Sequence, residues 1–426
     1  MNVLLIGSGG REHALAYKIS QSPLLSCLYI LPGNLGTEKL GENIFIDQNN
    51  FDGIYSFCND KKIDLVVIGP EQPLVSGLTD YLNDKNIKVF GPSKLAAEIE
   101  AYKSFAKSLM KKYNIPTAGY AEFSSNEYEA AKKYLLRQNY PCVIKANGLA
   151  AGKGVLICNN SEEAVKGLNE IFIDKVFGKS GDKIVVEEFM PGEEASIFAI
   201  TDGIDFICLP SAQDHKRIGD NDTGKNTGGM GAYSPAPVVT ENLLKEIEKE
   251  IIAPTILGMK KEGREFIGCL YCGLMINNNK AKVVEFNCRF GDPETQAVLP
   301  VLDGDFLRLL YSAASGKLDK TSVKYNGGAS VCVVAASKGY PETYEKDFEI
   351  SGLENSGEGV TIYHAGTKKI NDKIVTNGGR VLGVTSFIGY NNLKDAKTLA
   401  YKALENISFE GIYFRKDISD KAIAKS

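Results

Sequence analysis

Residues 282–294 read Lys282-Val-Val-Glu-Phe-Asn-Cys-Arg-Phe-Gly-Asp-Pro-Glu294. In an extended chain successive side chains alternate between faces. Glu285, Asn287 and Arg289 therefore share one side, and Val284, Phe286, Cys288 and Phe290 the other. The apolar side reads as core. The polar side sets a carboxylate, an amide oxygen and a guanidinium in line, a mixture that a merely exposed strand has no reason to hold. Hard oxygen donors suit Mg²⁺, which takes one or two protein groups and completes its sphere with water and phosphate. Arg289 offers a fork that fits a phosphate or acyl phosphate, where a lysine offers only a point charge. The strand is expected to carry a metal and phosphate grip.

Upstream, Lys145-Ala-Asn-Gly-Leu-Ala-Ala-Gly-Lys-Gly154 brings a lysine from a strand into a loop of small residues and on into a second strand. Gly154 follows Lys153 and no helix follows, which excludes a Walker loop. Backbone amides here would still close over phosphates, with Lys145 on their oxygens; a surface loop would read the same. Ile184-Val-Val-Glu-Glu-Phe189 ends in two acids, and Glu194 follows at a spacing that reaches ribose hydroxyls. A strand end can present backbone to an adenine edge, although such acid pairs are also ordinary solvated turns. Gln213-Asp-His-Lys-Arg217 runs into Gly219–Gly231, a tract of Gly, Asn and Asp that reads as a disordered surface loop unless it closes on a ligand. His215, one of three histidines, reads as structural rather than as a base. Thr376-Asn-Gly-Gly-Arg380 is either a glycine turn with a phosphate-compatible arginine or a plain hairpin.

Short apolar strands at Val3–Ile6, Cys27–Leu31, Leu65–Ile68 and Lys88–Phe90 alternate with helical stretches. Continuous apolarity points to strands buried on both faces, and so to a parallel sheet. The loops at their carboxyl ends, Gly7–His13, Pro32–Thr37 and Gly69–Glu71, should meet on one edge. Gly7-x-Gly9-x-x-Glu12 opens a helix suited to a phosphate, or simply a capped glycine turn. Glu12 replaces the third glycine of the dinucleotide fingerprint and the next strand ends in Pro32-Gly33, which weakens a nicotinamide reading. Ser93–Tyr113 reads as one helical stretch carrying Lys103. Residues 117–186 read as a small α+β lid.

A chain of 426 residues suggests roughly three domains. Net charge is −4 with no basic block, which gives no support to nucleic-acid binding. The amino terminus lacks a leader pattern, and no run approaches the ~18 apolar residues of a membrane span. Nine scattered cysteines suit reduced thiols and a cytoplasmic protein. Cys269-Leu-Tyr-Cys272 reads as two half-buried core thiols.

Taken in order, Lys145–Gly154, Asp214-His-Lys-Arg217, Asn226–Pro235, Glu285–Thr295 and Thr376–Arg380 resemble the glycinamide ribonucleotide synthetases (phosphoribosylamine–glycine ligases) of the ATP-grasp superfamily, over almost the whole chain. The resemblance implies an α/β and α+β multidomain fold. Its parts would be a parallel-sheet Rossmann-like domain at 1–102, an ATP-grasp core at 103–322 with its lid at 117–186, and a C-terminal α+β domain at 323–426. It implies ATP-dependent joining of glycine to 5-phosphoribosylamine through glycyl phosphate, in de novo purine synthesis. Mg²⁺ (or Mn²⁺) would be bound by Glu285 and Asn287. Lys103, Lys145, Gly152, Gly154, Glu187, Glu188, Phe189, Glu194, Lys216 and Asn226 would form the nucleotide site, with the backbone at Glu188–Phe189 on adenine. Arg289, Asp214 and Lys145 would act in catalysis. Gly9, Gly10, Arg11, Asp214, Arg289, Gly291, Asp292 and Arg380 would hold substrate. The expected state is a monomer or weak dimer, with no fused downstream enzyme. One departure concerns the strand Leu270–Ile276, which lacks the second metal carboxylate of many ATP-grasp enzymes. Another acid or amine is the competing substrate reading. A nucleotide sensor without turnover is disfavoured by the intact Lys145, Glu285, Asn287 and Arg289.

Overall fold

The computed structural model describes residues 1–150, 154–354 and 357–425. Its amino-terminal sheet is parallel throughout, in the order Glu42–Asn43, Cys27–Pro32, Asn2–Gly7, Leu65–Ile68, Val89–Phe90. Leu4 and Ile6 enter one hydrophobic core while Val3 and Leu5 enter another on the opposite face. That double burial is why the strand is apolar without alternation. The short strand Glu42–Asn43 leaves no pattern to read at two residues. The three loops meet as expected: the Gly33 amide donates to Gly7 O at 3.1 Å, and the Asn34 side chain donates to Ser8 O at 2.8 Å.

The expected single helix over 93–113 is two helices, Lys94–Ala101 and Lys103–Lys112, broken at Tyr102 in an extended conformation. Asn147 causes the second start. Its carbonyl takes the Lys103 amide at 3.0 Å and its side chain takes the Ser104 amide at 2.8 Å. Apolar periodicity cannot register a cap lent by a loop over 40 residues away.

Strands Tyr120–Ser124, Lys183–Glu188, Cys142–Ala146 and Val155–Cys158 form a separate antiparallel sheet in that order. Helices Tyr128–Leu135 and Ser161–Phe172 close over it, and Ala131, Ile144, Leu168 and Ile184 make a core of its own. The central antiparallel sheet runs Phe206–Cys208, Glu193–Asp202, Ile267–Asn277, Lys280–Asn287. Its last pairing carries a bulge: Leu274 faces Val283 but Gly273 faces Glu285. Val284 is thus the extra residue, and Val283, not Val284, lies in the core. The bulge resets the alternation, so Glu285 and Asn287 keep the polar face. Cys269 and Cys272 are buried on the neighbouring strand, more deeply than half-buried.

The last sheet joins Gln213–Asp214 and Gly231–Ser234 to Ala329–Ser337, Arg380–Ile388 and Val360–His364, with Ile412–Tyr413 pairing Ala329–Ser337. The tract between those first two strands is built into the fold instead of forming the expected surface loop. Arg217–Gly219 pairs with Thr223–Asn226. The fully buried Arg415 ties this hairpin down, donating to Asp222 at 2.9 Å and to Arg217 O at 3.1 Å while pairing with Asp417. Residues 376–380 do not close a hairpin either. Lys373–Thr376 pairs with Thr367–Ile370, whereas Arg380–Ile388 belongs to the larger sheet.

All three histidines are buried. Burial first, then His364 and Lys39, bring the His13 ring down to about 3. Burial also lowers His364 to about 4, and burial with Arg415 lowers His215 to about 4. Unfolded rings protonate near pH 6.5, folded ones only near 3–4, so this stability is full above about 6.5 and drains as pH falls toward 4. Each ring is worth on the order of 1–2 kcal/mol at pH 5. Thermal melts at pH 7.5 and pH 5 should show a clear drop in Tm; an unchanged melt would mean that the rings are solvated.

Candidate active site

Glu285 is the centre of the charge arrangement. Burial alone would raise its carboxyl, but Lys216, Lys145, Lys103 and Arg289 together hold it below the usual carboxylate range. Those four cations come from four separate places in the fold. Lys145 ends the strand Cys142–Ala146; its Nζ lies 3.0 Å from Glu187 Oε1 and donates to Val284 O at 3.0 Å. Lys103 opens its helix and donates to Gly148 O at 3.3 Å; burial lowers its ammonium while Glu285 raises it. Lys216 pairs with Asp214 at 2.8 Å and with Glu194 at 3.5 Å.

Arg289 is gripped on two sides. Its Nε lies 3.1 Å from Glu71 Oε2, and its Nη2 lies 3.1 Å from Glu100 Oε1. Glu100 also accepts the Cys288 amide at 2.7 Å. Burial pushes the Glu100 carboxyl up; Glu71 is pushed the same way by burial but is held below the usual range by Arg289 and Arg11. Neither acid was picked out in the sequence as an arginine partner. Glu71 stood in a loop at a strand's carboxyl end, which was a usable signal; Glu100, inside a helix, gave none.

The expected residues fall into two adjoining groups. Lys103, Lys145, Glu187, Glu194, Asp214, Lys216, Glu285 and Arg289 form the first. Asn226 lies nearby on the hairpin, whose Thr227 amide donates to Lys216 O at 2.7 Å. Glu294 joins the group unforeseen. It is buried, accepts from Tyr271 at 2.9 Å, and burial and Asp214 raise its carboxyl. The Glu188 amide donates to Gly119 O at 3.0 Å and its side chain is exposed, and Phe189 lies just past the strand. A side chain at Gly154 would strike Ala150 at 2.7 Å, and Gly154 O accepts from Ala146. Gly152 lies outside the described residues.

The second group is Gly9, Gly10, Arg11, Gly291, Asp292 and Arg380. Arg380 pairs with Asp292 Oδ2 at 2.8 Å, and Gln296 fills Oδ1 at 2.8 Å. Arg11 donates to Phe290 O at 3.1 Å and pairs with Glu12 at 2.6 Å. Glu12 also accepts the Gly9 amide at 2.7 Å. A carboxylate therefore already caps the helix end that was expected to receive a phosphate. Gly291 is glycine because a Cβ would lie 2.5 Å from Glu294.

Glu285 and Asn287 fit a magnesium-type ion. One is a carboxylate kept ionised, the other an amide, on one strand face beside clustered cations. Among the described residues no group of three or more His, Cys, Asp or Glu side chains could hold a metal. The pair suits an ion that fills its sphere from phosphate and water, and not a closed protein cage.

Family models match residues 1–100 (phosphoribosylglycinamide synthetase, N domain), 101–295 (its ATP-grasp domain) and 330–421 (its C domain). A phosphoribosylamine–glycine ligase of Leptospira interrogans is 49% identical over 99% of each chain. A bifunctional purine biosynthetic protein of Pichia angusta is 48% identical over 99% of this chain, which spans 54% of that protein. The crystal structure of a phosphoribosylamine–glycine ligase from Thermotoga maritima superposes with a TM-score of 0.85 at 33% identity, covering 98% of this chain and 100% of that one. Fold and site together define an ATP-grasp ligase. The chain belongs to the phosphoribosylglycinamide synthetase family.

Glu100 makes a sharp structural test. Glu100→Ala leaves the Arg289 guanidinium short of a buried counter-ion and the Cys288 amide without its acceptor. Loss of about 3–5 kcal/mol is expected, read as a lower denaturant midpoint; a loss under about 1 kcal/mol would show that the pair is solvated.

Proposed function

We propose that the chain joins glycine to 5-phospho-β-D-ribosylamine, consuming ATP and releasing glycinamide ribonucleotide, ADP and phosphate, as a step of purine synthesis. The observation that carries this reading is the convergence of Lys103, Lys145, Lys216 and Arg289, from four separate elements, on the buried carboxylate Glu285, which they hold ionised. Four cations held charged in one buried place beside a metal-type carboxylate suit a polyphosphate. Family membership supplies the acid and the amine.

A glycine carboxylate oxygen takes the γ-phosphoryl group of ATP, and ADP leaves. The ribosylamine nitrogen then attacks the glycyl carbonyl carbon, the C–O bond to phosphate breaks, and the nitrogen gives up a proton. Such chemistry needs positioning and charge neutralisation rather than a protein nucleophile. Lys103 and Lys145 are suited to the nucleotide phosphates, with Phe189 and Glu194 nearer the nucleoside. Glu285 and Asn287 would hold Mg²⁺ or Mn²⁺, which when bound draws charge from the phosphate oxygens. Arg289, fixed in orientation by Glu71 and Glu100, faces the transferring phosphoryl group. Asp214 and Lys216 flank the acceptor side. Gly9, Gly10, Arg11, Gly291, Asp292 and Arg380 are assigned to the ribose phosphate, where Arg380 keeps the best-placed cation. The lid, residues 117–186, excludes water that would hydrolyse the acyl phosphate.

We assign this activity to a cytoplasmic protein, a monomer or weak dimer. Its nine free thiols support the compartment. Among the described residues no helix is long and apolar enough to cross a membrane.

A defined reaction of ATP, glycine and freshly formed phosphoribosylamine should yield glycinamide ribonucleotide by mass spectrometry, and omission of divalent metal should abolish it. Equal ADP release with unrelated acids would overturn the choice of glycine. Arg289→Ala should keep nucleotide affinity within a few-fold and cut kcat by roughly 100-fold or more; normal turnover would remove Arg289 from the chemistry.

A further inference from the structure

Lys107 carried no signal in the sequence, yet only 2% of it is exposed. It lies on the helix Lys103–Lys112 one turn after Lys103. A buried ammonium persists only with partners. Lys107 has two: Glu187 Oε2 at 3.1 Å and Thr117 Oγ1 at 2.8 Å. The other oxygen of Glu187 faces Lys145 at 3.0 Å. One buried carboxylate thus serves two buried ammonium groups.

The two lysines differ in their other partners. Lys107 donates to the Thr117 hydroxyl, whereas Lys145 donates to the backbone at Val284 O, 3.0 Å away. Thr117, in turn, donates to the preceding carbonyl, Val283 O, at 2.7 Å. Glu187 thus bridges Lys107 and Lys145 at the base of the lid, with Thr117 on Val283 O and Lys145 on Val284 O, and Val284 is the bulged residue beside Glu285.

We propose that Lys107 is a positioning residue that neutralises Glu187 and so leaves the Lys145 ammonium free for the nucleotide phosphates. This rests on the reading of Lys145 as a nucleotide lysine and deepens it. With one lysine, Lys145 and Glu187 would make a closed neutral pair. Drawing Lys145 toward phosphate would then strand a buried carboxylate, a costly change. With two, Lys145 leaves behind a neutral Lys107–Glu187 pair. Both oxygens of Glu187 face lysines, and its part is to store Lys145.

Calorimetric affinity for a non-hydrolysable ATP analogue with Mg²⁺ tests this without any acceptor. Lys107→Met should weaken that affinity about tenfold or more and raise KM for ATP in step, while kcat and KM for glycine change less than about threefold. Lys107→Arg should restore most of the affinity. In Lys107→Met/Glu187→Gln the acid that captures Lys145 is gone, and affinity should return to within about threefold of wild type. An unchanged affinity in Lys107→Met overturns the proposal, and so does a double variant no better than Lys107→Met. If Lys107→Met does not fold, Glu187→Gln alone decides: affinity equal to or tighter than wild type supports storage, and a tenfold loss gives Glu187 a direct nucleotide contact and overturns it. A wild-type chain that binds the analogue but makes no glycinamide ribonucleotide would sink the assigned reaction and leave this test standing. One that binds no analogue sinks both.

Discussion

A site built for a polyphosphate must hold positive charge, and that charge must be kept in a low-dielectric interior before any ligand arrives. Unpaired, it would cost more than the fold can supply. The structure meets this constraint by giving each cation an acid or a carbonyl. Arg289 rests between Glu71 and Glu100, Lys216 on Asp214, Lys145 against Glu187, and Arg380 on Asp292. Much of the remaining architecture serves to bring those partners together. Glu71 opens the helix that follows the strand Leu65–Ile68, Glu187 comes from the strand Lys183–Glu188, Asp214 from the edge of the last sheet, and Arg289 from the run just after the central sheet's last strand.

The bulge at Val284 shows how backbone geometry feeds that charge arrangement. A regular ladder would have kept Val284 in the core and left its carbonyl in the ladder. With one residue inserted, the carbonyl turns to Lys145, and the next two polar side chains stay on the working face. The same local irregularity links the metal-type pair to the base of the lid.

The Arg415 clasp plays a comparable part for the Gly-rich tract. A run of Gly, Asn and Asp has too little apolar surface to order itself. Here a guanidinium from near the carboxyl end supplies the order, and Lys216 and Asn226 are held at the site as a result. The Glu12 cap acts in the opposite sense at the amino terminus. There the Glu12 carboxylate accepts the Gly9 amide at the helix end, while Arg380 is held by Asp292.

Periodicity and residue chemistry, both local properties, were readable from the amino acids alone. Unbroken apolar runs announced the parallel sheet; period-two alternation placed Glu285, Asn287 and Arg289 on one face; and motif order along the chain identified the family. Whatever depends on a partner far along the chain was decided only by the tertiary structure. Asn147 splitting a helix, Glu71 and Glu100 closing on Arg289, Arg415 ordering a loop some 190 residues away, and Lys107 meeting Glu187 are all of this kind. The reason is physical. A side chain's period reports which face it will occupy, but the charge that must wait opposite it is set by how separate elements pack, and packing leaves no periodic trace.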